Sequence, residues 1–442
     1  MKRAAVLFIS FLVALLSTDV SAQNFPVTEQ TLANGLRIII IEDHKSPLAT
    51  FQIWYKVGSR NEPEGKKGIS HLLEHMMFKG TKKYGPKEFS NIIQRNGGMD
   101  NAFTSKDYTV YYQNMSSDRL YLSVELESDR MKNLLLDPKE LESERNVVLE
   151  ERRQRYENDP QALIYEDVIS TAFKAHSYRD PVIGWPSTIR AITKEDLSDY
   201  YSVFYSPSNA FIVVAGDVEP AKVIGIIKEK FENISAAVKS PVFSTAVEPQ
   251  QEGPKKIYLR KEAELPYVVM AFHAPSFPHP DSFALDLLSV VLSGGKSARF
   301  YQNLVRTQAV ALNEFASYNP LYSDPYLFMV GGTASKGVAA ETLADALWTE
   351  IKKLGSGLIS ETELQKAKNQ IEASFIFAQD SNYSKALYAG MFERLGSWRL
   401  SEKYLEGIRK VTAADLQSAA KKYLTEDNST TGILIPVKEV RK

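Results

Sequence analysis

The chain has 442 residues, 44% of them hydrophobic, a formal net charge of -1 and no cysteine. That length suggests about two to four domains, with ample apolar side chains for large cores. The charge balance excludes a broad electrostatic footprint for nucleic acid or an anionic membrane, and the missing cysteines exclude disulfides, thiolate ligands and a thiol nucleophile. Any metal must be held by His, Asp or Glu.

The start of the chain reads as an export signal. Lys2 and Arg3 precede an almost unbroken apolar run from Ala4 to Leu16, and Val20-Ser21-Ala22 offers small residues at signal-peptidase spacing. The run is too short to span a bilayer as a stable helix. Residues 1–22 are therefore expected to be a removable signal peptide, with an uncleaved anchor as the alternative. No later stretch is long and apolar enough for a membrane helix, so a periplasmic location without membrane attachment is expected after cleavage.

Strand-like and helix-like segments then alternate. Arg37 to Ile41 and Thr50 to Val57 are β-branched and aromatic and read as strands. Ile69 to Phe78 has apolar residues at helical spacing. Ala102 to Asn114 alternates like a strand. Asp137-Pro138 marks a helix start, with Asp as N-cap and Pro in the first turn, and the helix is expected to run to about Tyr156. Ala210 to Gly216 reads as a buried strand. Residues 236–255 lose periodicity and gather Ser, Pro and Gln. The expected division is thus 23–240, a linker at 241–255, and 256–442.

The second half echoes the first. Ile192 to Leu197 (ITKEDL) recurs as Val411 to Leu416 (VTAADL), a shift of 219, and Leu48 to Val57 matches Leu265 to Ala274, a shift of 217. Near-equal shifts argue for duplicated halves.

The chemistry-bearing motif is His71-Leu72-Leu73-Glu74-His75. Residues four apart on a helix share a face, so both imidazoles can reach one ion. Glu74 projects near that face, placed to accept a proton from water at the metal. Zinc accepts nitrogen and oxygen donors, and a three-ligand site leaves a position for that water. The bland alternative is a pair of surface histidines on an amphipathic helix. Shifted into the second half, the three positions fall on Leu288, Val291 and Leu292, so one half is expected to do chemistry and the other to shape the site. The remaining histidines (His44, His176, His273 and His279) read as surface or hydrogen-bonded. A third ligand is needed, and the acidic helix from Asp137 offers Glu144 and Glu151, seven apart and near one face, with Glu150 about 100° away from Glu151. Periodicity leaves the choice among them open.

The H-x-x-E-H motif is that of the inverzincins. Together with Gly68 to Thr81 (GISHLLEHMMFKGT), Asn101 to Ser105 (NAFTS) and Glu144 to Glu151 (ERNVVLEE), it makes the chain resemble the pitrilysin/insulinase family, on the branch of the mitochondrial processing peptidase β subunit. The resemblance covers nearly all of residues 25–440. It implies an α+β fold of two homologous halves, each of sheet-plus-helix domains, arranged as a clamshell. It implies a zinc metalloendopeptidase acting on short or unfolded peptides. The family's third zinc ligand lies about 76 residues past the second histidine. That count lands on Glu151, with Glu150 the neighbouring alternative, and Glu144 matches a supporting acidic residue.

The resemblance also makes Asn101, Ala102, Phe103 and Thr104 an edge strand to which an extended peptide adds; an ordinary edge strand fits the same residues. The family's second half supplies an arginine and, seven residues on, a tyrosine. Arg306 is present, but the tyrosine position holds Asn313 and the nearby glycine position Val310. On this branch a motif-bearing subunit commonly pairs with a homologous subunit that keeps Arg and Tyr. A heterodimer is therefore expected, with a homodimer tolerating Asn313 as its competitor. The rival function is a non-catalytic or partner-dependent peptide-binding subunit.

Overall fold

The computed structural model describes residues 25–236 and 246–437. The signal read at 1–22 lies outside the described residues, as does the start of the segment read as a linker.

Two sheets organise the chain. The first holds β1 (Val27–Thr31), β2 (Arg37–Glu42), β3 (Leu48–Tyr55), β4 (Met99–Thr104), β5 (Thr109–Ser116) and β6 (Ala210–Gly216), in the order β1-β2-β6-β3-β5-β4. The second holds β7 (Lys255–Glu262), β8 (Tyr267–Ala274), β9 (Ala311–Ser317), β10 (Tyr326–Ala334) and β11 (Ser429–Val437), in the order β7-β11-β8-β10-β9. Leaving out β1, the two orders are the same under the substitution of β7, β8, β9, β10 and β11 for β2, β3, β4, β5 and β6. Strand directions agree as well: β2 runs parallel to β6 as β7 does to β11, and the other pairs are antiparallel. Ile53 faces Ile212 in the first sheet, and Met270 faces Thr431 in the second. The duplication legible in the sequence is therefore a duplication of topology and register. The echoed ITKEDL and VTAADL segments are helix starts with the same capping box, Thr193 with Asp196 and Thr412 with Asp415.

The segment Ala102 to Asn114, read as one alternating strand, is two strands joined by a tight turn. Ser105 N donates to Tyr108 O at 2.8 Å, and the buried Lys106 ammonium donates to the Tyr178 and Asp180 carbonyls at 2.7 and 2.8 Å. Partners some 70 residues away hold the turn, so no local pattern reveals it.

Each sheet is covered on one face by a helix from the other half. Helix Asn382–Glu393 lays Ala386, Leu387, Ala389 and Met391 against Ile39, Trp54, Phe211 and Val213 of the first sheet. Helix Pro160–Ala172 lays Ile164, Val168 and Ala172 against Val269, Ala271, Met329 and Leu434 of the second. This exchange explains why β6 (AFIVVAG) is apolar without alternation: both of its faces are buried. It also binds the halves together, because separating them would expose both apolar faces at about 25 cal/mol per Å². At Gly390 an added Cβ would stand 2.2 Å from the fully buried Trp54 ring. Gly390→Ala is expected to cost about 3 kcal/mol through overpacking, the upper end of the usual range because the buried ring is rigid, leaving a net loss of about 2 kcal/mol after a helix-propensity gain of about 1 kcal/mol. A urea midpoint equal to or above that of the wild type would refute this.

Candidate metal centre

The motif helix is Ile69–Met76. Ile69, Leu72, Leu73 and Met76 are buried in the core of the first half, which turns His71, Glu74 and His75 to the opposite side. Its first turn is secured from outside. The Glu62 carboxylate accepts from Gly68 N at 2.7 Å and Ser70 N at 2.9 Å, satisfying donors that a helix start leaves unpaired. Gly68 has φ +96, and a Cβ there would lie 2.6 Å from the Ile183 carbonyl.

The second helix, Pro138–Arg152, is capped by Asp137, whose carboxylate accepts from Lys139 N at 2.8 Å. Its far end is pinned by the buried Arg152, which donates to both Glu166 oxygens at 2.8 and 2.9 Å. Glu151 sits beside this anchor.

The two helices bring His71, His75 and Glu151 together, with one donor atom from each residue within 4.8 Å of the others. Glu151 Oε2 lies 3.8 Å from His71 Nε2 and 3.5 Å from His75 Nε2. Tetrahedral zinc with bonds of about 2.0–2.1 Å sets neighbouring ligand atoms roughly 3.3 Å apart, so the donor set fits zinc with little movement. Among the described residues this is the one such group of His, Asp or Glu. Glu150 turns away, its side chain 45% exposed, and pairs with Arg153 at 2.8 Å and Gln154 at 2.9 Å. The choice between neighbouring glutamates is thus made by the helix rotation that buries Leu141, Glu144 and Val148.

Burial, with the like charge of His75 beside it, pushes His71 down to about 4, so its ring is neutral at ordinary pH. For His75 burial also opposes the charge, but the Glu151 and Glu144 carboxylates outweigh it and hold the ring above its usual range. His75 Nδ1 lies 2.9 Å from Glu144 Oε2, and Lys79 Nζ lies 2.5 Å from the other Glu144 oxygen. An Nδ1–H bonded to that carboxylate would leave Nε2 available to an ion. Hydrogen bonding from His75 holds Glu151 below the ordinary carboxylate range. Glu74 moves the other way: burial raises it, partly countered by a hydrogen bond from Thr104. A carboxyl so raised is closer to the proton affinity a general base needs.

Asn101, Ala102, Phe103 and Thr104 all lie on β4, which pairs only with β5 and forms the open edge of the first sheet beside the motif helix. Arg306 lies on the helical turn Tyr301–Thr307, exposed; among the described residues no hydrogen bond or ion pair links it to the metal group. Asn313 is an ordinary member of β9, accepting from Thr333 N at 3.1 Å. In the second half Leu288, Val291 and Leu292 are core residues. The other four histidines are hydrogen-bonded, to Asp217, Asp324, the Ala172 carbonyl and Asp281 N. Sequence reasoning passed over Lys79 and Arg155, which pair with Glu144 and Glu151. Arg155 stands four residues past Glu151 on the helix, the spacing that signals such a pair, whereas Lys79 and Glu144 are far apart in the chain and no local signal joins them.

A two-sheet duplicated fold with an inverted His-Glu-His helix defines a class of metal-site proteins, and the comparisons specify it. The family model "Insulinase (Peptidase family M16)" matches residues 37–184, and the "Peptidase M16 inactive domain" model matches residues 191–371. The chain belongs to the insulinase family, peptidase family M16. It is 35% identical over 437 residues to zinc protease PqqE of Helicobacter pylori, covering 97% of each chain. It is 27% identical to the probable mitochondrial-processing peptidase subunit beta of Arabidopsis thaliana, covering 93% of this chain and 78% of that one. The crystal structure of a protease from Helicobacter pylori superposes with a TM-score of 0.88 at 33% identity, over 93% of this chain and all of that one. No described helix is long and apolar enough to cross a membrane.

Proposed function

We propose that this chain is a zinc-dependent endopeptidase of the periplasm that hydrolyses short or unfolded peptides. The convergence of His71, His75 and Glu151, with Glu74 on the same helix and an open sheet edge alongside, carries this reading. His71, His75 and Glu151 would hold the ion. When bound, zinc supplies a Lewis acid for the scissile carbonyl and acidifies water. Glu144, charge-balanced by Lys79, orients the His75 ring. Glu74 takes the proton of the attacking water and passes it to the leaving amine. The unpaired edge of β4 at Asn101, Ala102, Phe103 and Thr104 receives the peptide main chain as an added strand, which reads extension rather than sequence.

Residues 23–240 carry the chemistry and 256–442 shape the chamber. Export rests on the basic and apolar start at residues 2–16. The Asn313 departure supports a heterodimer in which a homologous subunit supplies the Arg/Tyr pair, Arg306 being this chain's remnant of it. The test is zinc removal and return. Stripped with a chelator, the chain mixed with a homologous subunit is expected to lose cleavage of a quenched peptide library and regain it with added Zn2+, and the zinc-loaded chain alone to cleave more slowly than the mixture. Cleavage that survives complete stripping would reject the reading, and equal activity of the chain alone would reject the heterodimer.

A further inference from the structure

Among the described residues, a single hydrogen-bond donor reaches the Glu74 carboxylate: the Thr104 hydroxyl, 2.5 Å from Oε2. An ionised carboxylate only accepts, so Thr104 must donate its one proton there. Thr109 Oγ1 stands 3.5 Å behind it and donates to the Val57 carbonyl at 3.0 Å, backing Thr104 without competing for Glu74. Glu74 Oε1 is left without a protein donor and is free for water.

The strand that carries Thr104 is β4. Side chains alternate along a strand, so Asp100, Ala102 and Thr104 share one face. On that face Ala102 packs against the core that holds the motif helix, and Asp100 accepts from Ser90 Oγ at 2.5 Å. Among the described residues no strand pairs with the other main-chain edge of β4, where Ala102 N donates to Asn101 Oδ1 at 2.8 Å, a bond an incoming strand would replace. A peptide pairing with that edge would use backbone groups only and would leave the Thr104 hydroxyl on Glu74.

We propose that Thr104 is a positioning residue that fixes the Glu74 carboxylate, so that the peptide-receiving strand and the proton-transfer group are set by one rigid element. This rests on the reading of Glu74 as proton carrier. A glutamate has three rotatable side-chain bonds, and a base must be held within about 0.5 Å of its productive position. The Thr104 hydroxyl supplies that restraint from the strand over which the scissile bond would lie. Its loss should slow turnover while main-chain pairing, and hence KM, is kept.

The experiment compares zinc-loaded wild type, Thr104→Val (same shape, no hydroxyl), Thr104→Ser (hydroxyl kept) and Glu74→Gln. Bound zinc, kcat and KM on a quenched peptide, and the crystallographic position of the Glu74 carboxylate are measured. Thr104→Val is expected to keep zinc and KM, to lose roughly 10–100-fold in kcat, and to show a displaced or split carboxylate; Thr104→Ser is expected to recover most of the rate with the carboxylate in place. An unmoved carboxylate in Thr104→Val overturns the proposal whatever the turnover. Equal impairment of the Val and Ser variants, or a change confined to KM, also overturns it. Full activity in Glu74→Gln would instead reject the peptidase reading, so the two failures are distinguishable.

Discussion

Glu74→Gln is expected to retain zinc and to lose roughly 10²–10⁴-fold in kcat, the range that a positioned general base contributes. The substitution keeps side-chain length and the hydrogen bond from Thr104, since the amide oxygen still accepts. It removes the ability to take a proton. Glu74 contributes no atom to the group formed by His71, His75 and Glu151, so zinc content, measured by elemental analysis, should match the wild type. KM should change little, because the β4 edge is untouched. Unaltered turnover with zinc bound would remove Glu74 from the mechanism; lost zinc would mean that it serves the metal instead.

Glu151→Ala should weaken zinc binding by more than the roughly 10–100-fold that loss of an outer partner costs, because it deletes one of the three proposed ligands. Two imidazoles would remain, with no anion to balance the cation. Glu151 is also the group whose carboxylate is held ionised by His75 and whose second oxygen lies 2.8 Å from Arg155. Its neighbour provides the control. Glu150→Ala removes a half-exposed side chain paired only with Arg153 and Gln154, and zinc affinity should stay as in the wild type. Both are measured by competition with a chromophoric chelator. Equal weakening by the two variants, or none by Glu151→Ala, would refute this assignment.

Much of the site lies on one helix and was open to periodicity. His71 and His75 are one turn apart, and any helix through them puts both rings on one side. The N-cap at Asp137 and the repeated capping box are equally local. The proposed third ligand is not local. Glu144, Glu150 and Glu151 were separated by the rotation of Pro138–Arg152 against the core and by the Arg152–Glu166 pair, neither of which the acidic pattern specifies. Resemblance to a family pointed at Glu151; packing supplies the reason.

By itself, the sequence determined those features whose physical cause spans a few residues or a regular repeat: the His-Glu-His face, the caps, the apolar strands, and the duplication visible as two near-equal shifts. The tertiary structure alone decided the exchange of helices Pro160–Ala172 and Asn382–Glu393 between the sheets, the turn that divides β4 from β5, and the Thr104 bond to Glu74. These join groups 30 to more than 300 residues apart, where no helical or strand period relates one partner to the other. They exist because burying two sheet faces and one carboxylate is favourable only when the whole chain has closed around them.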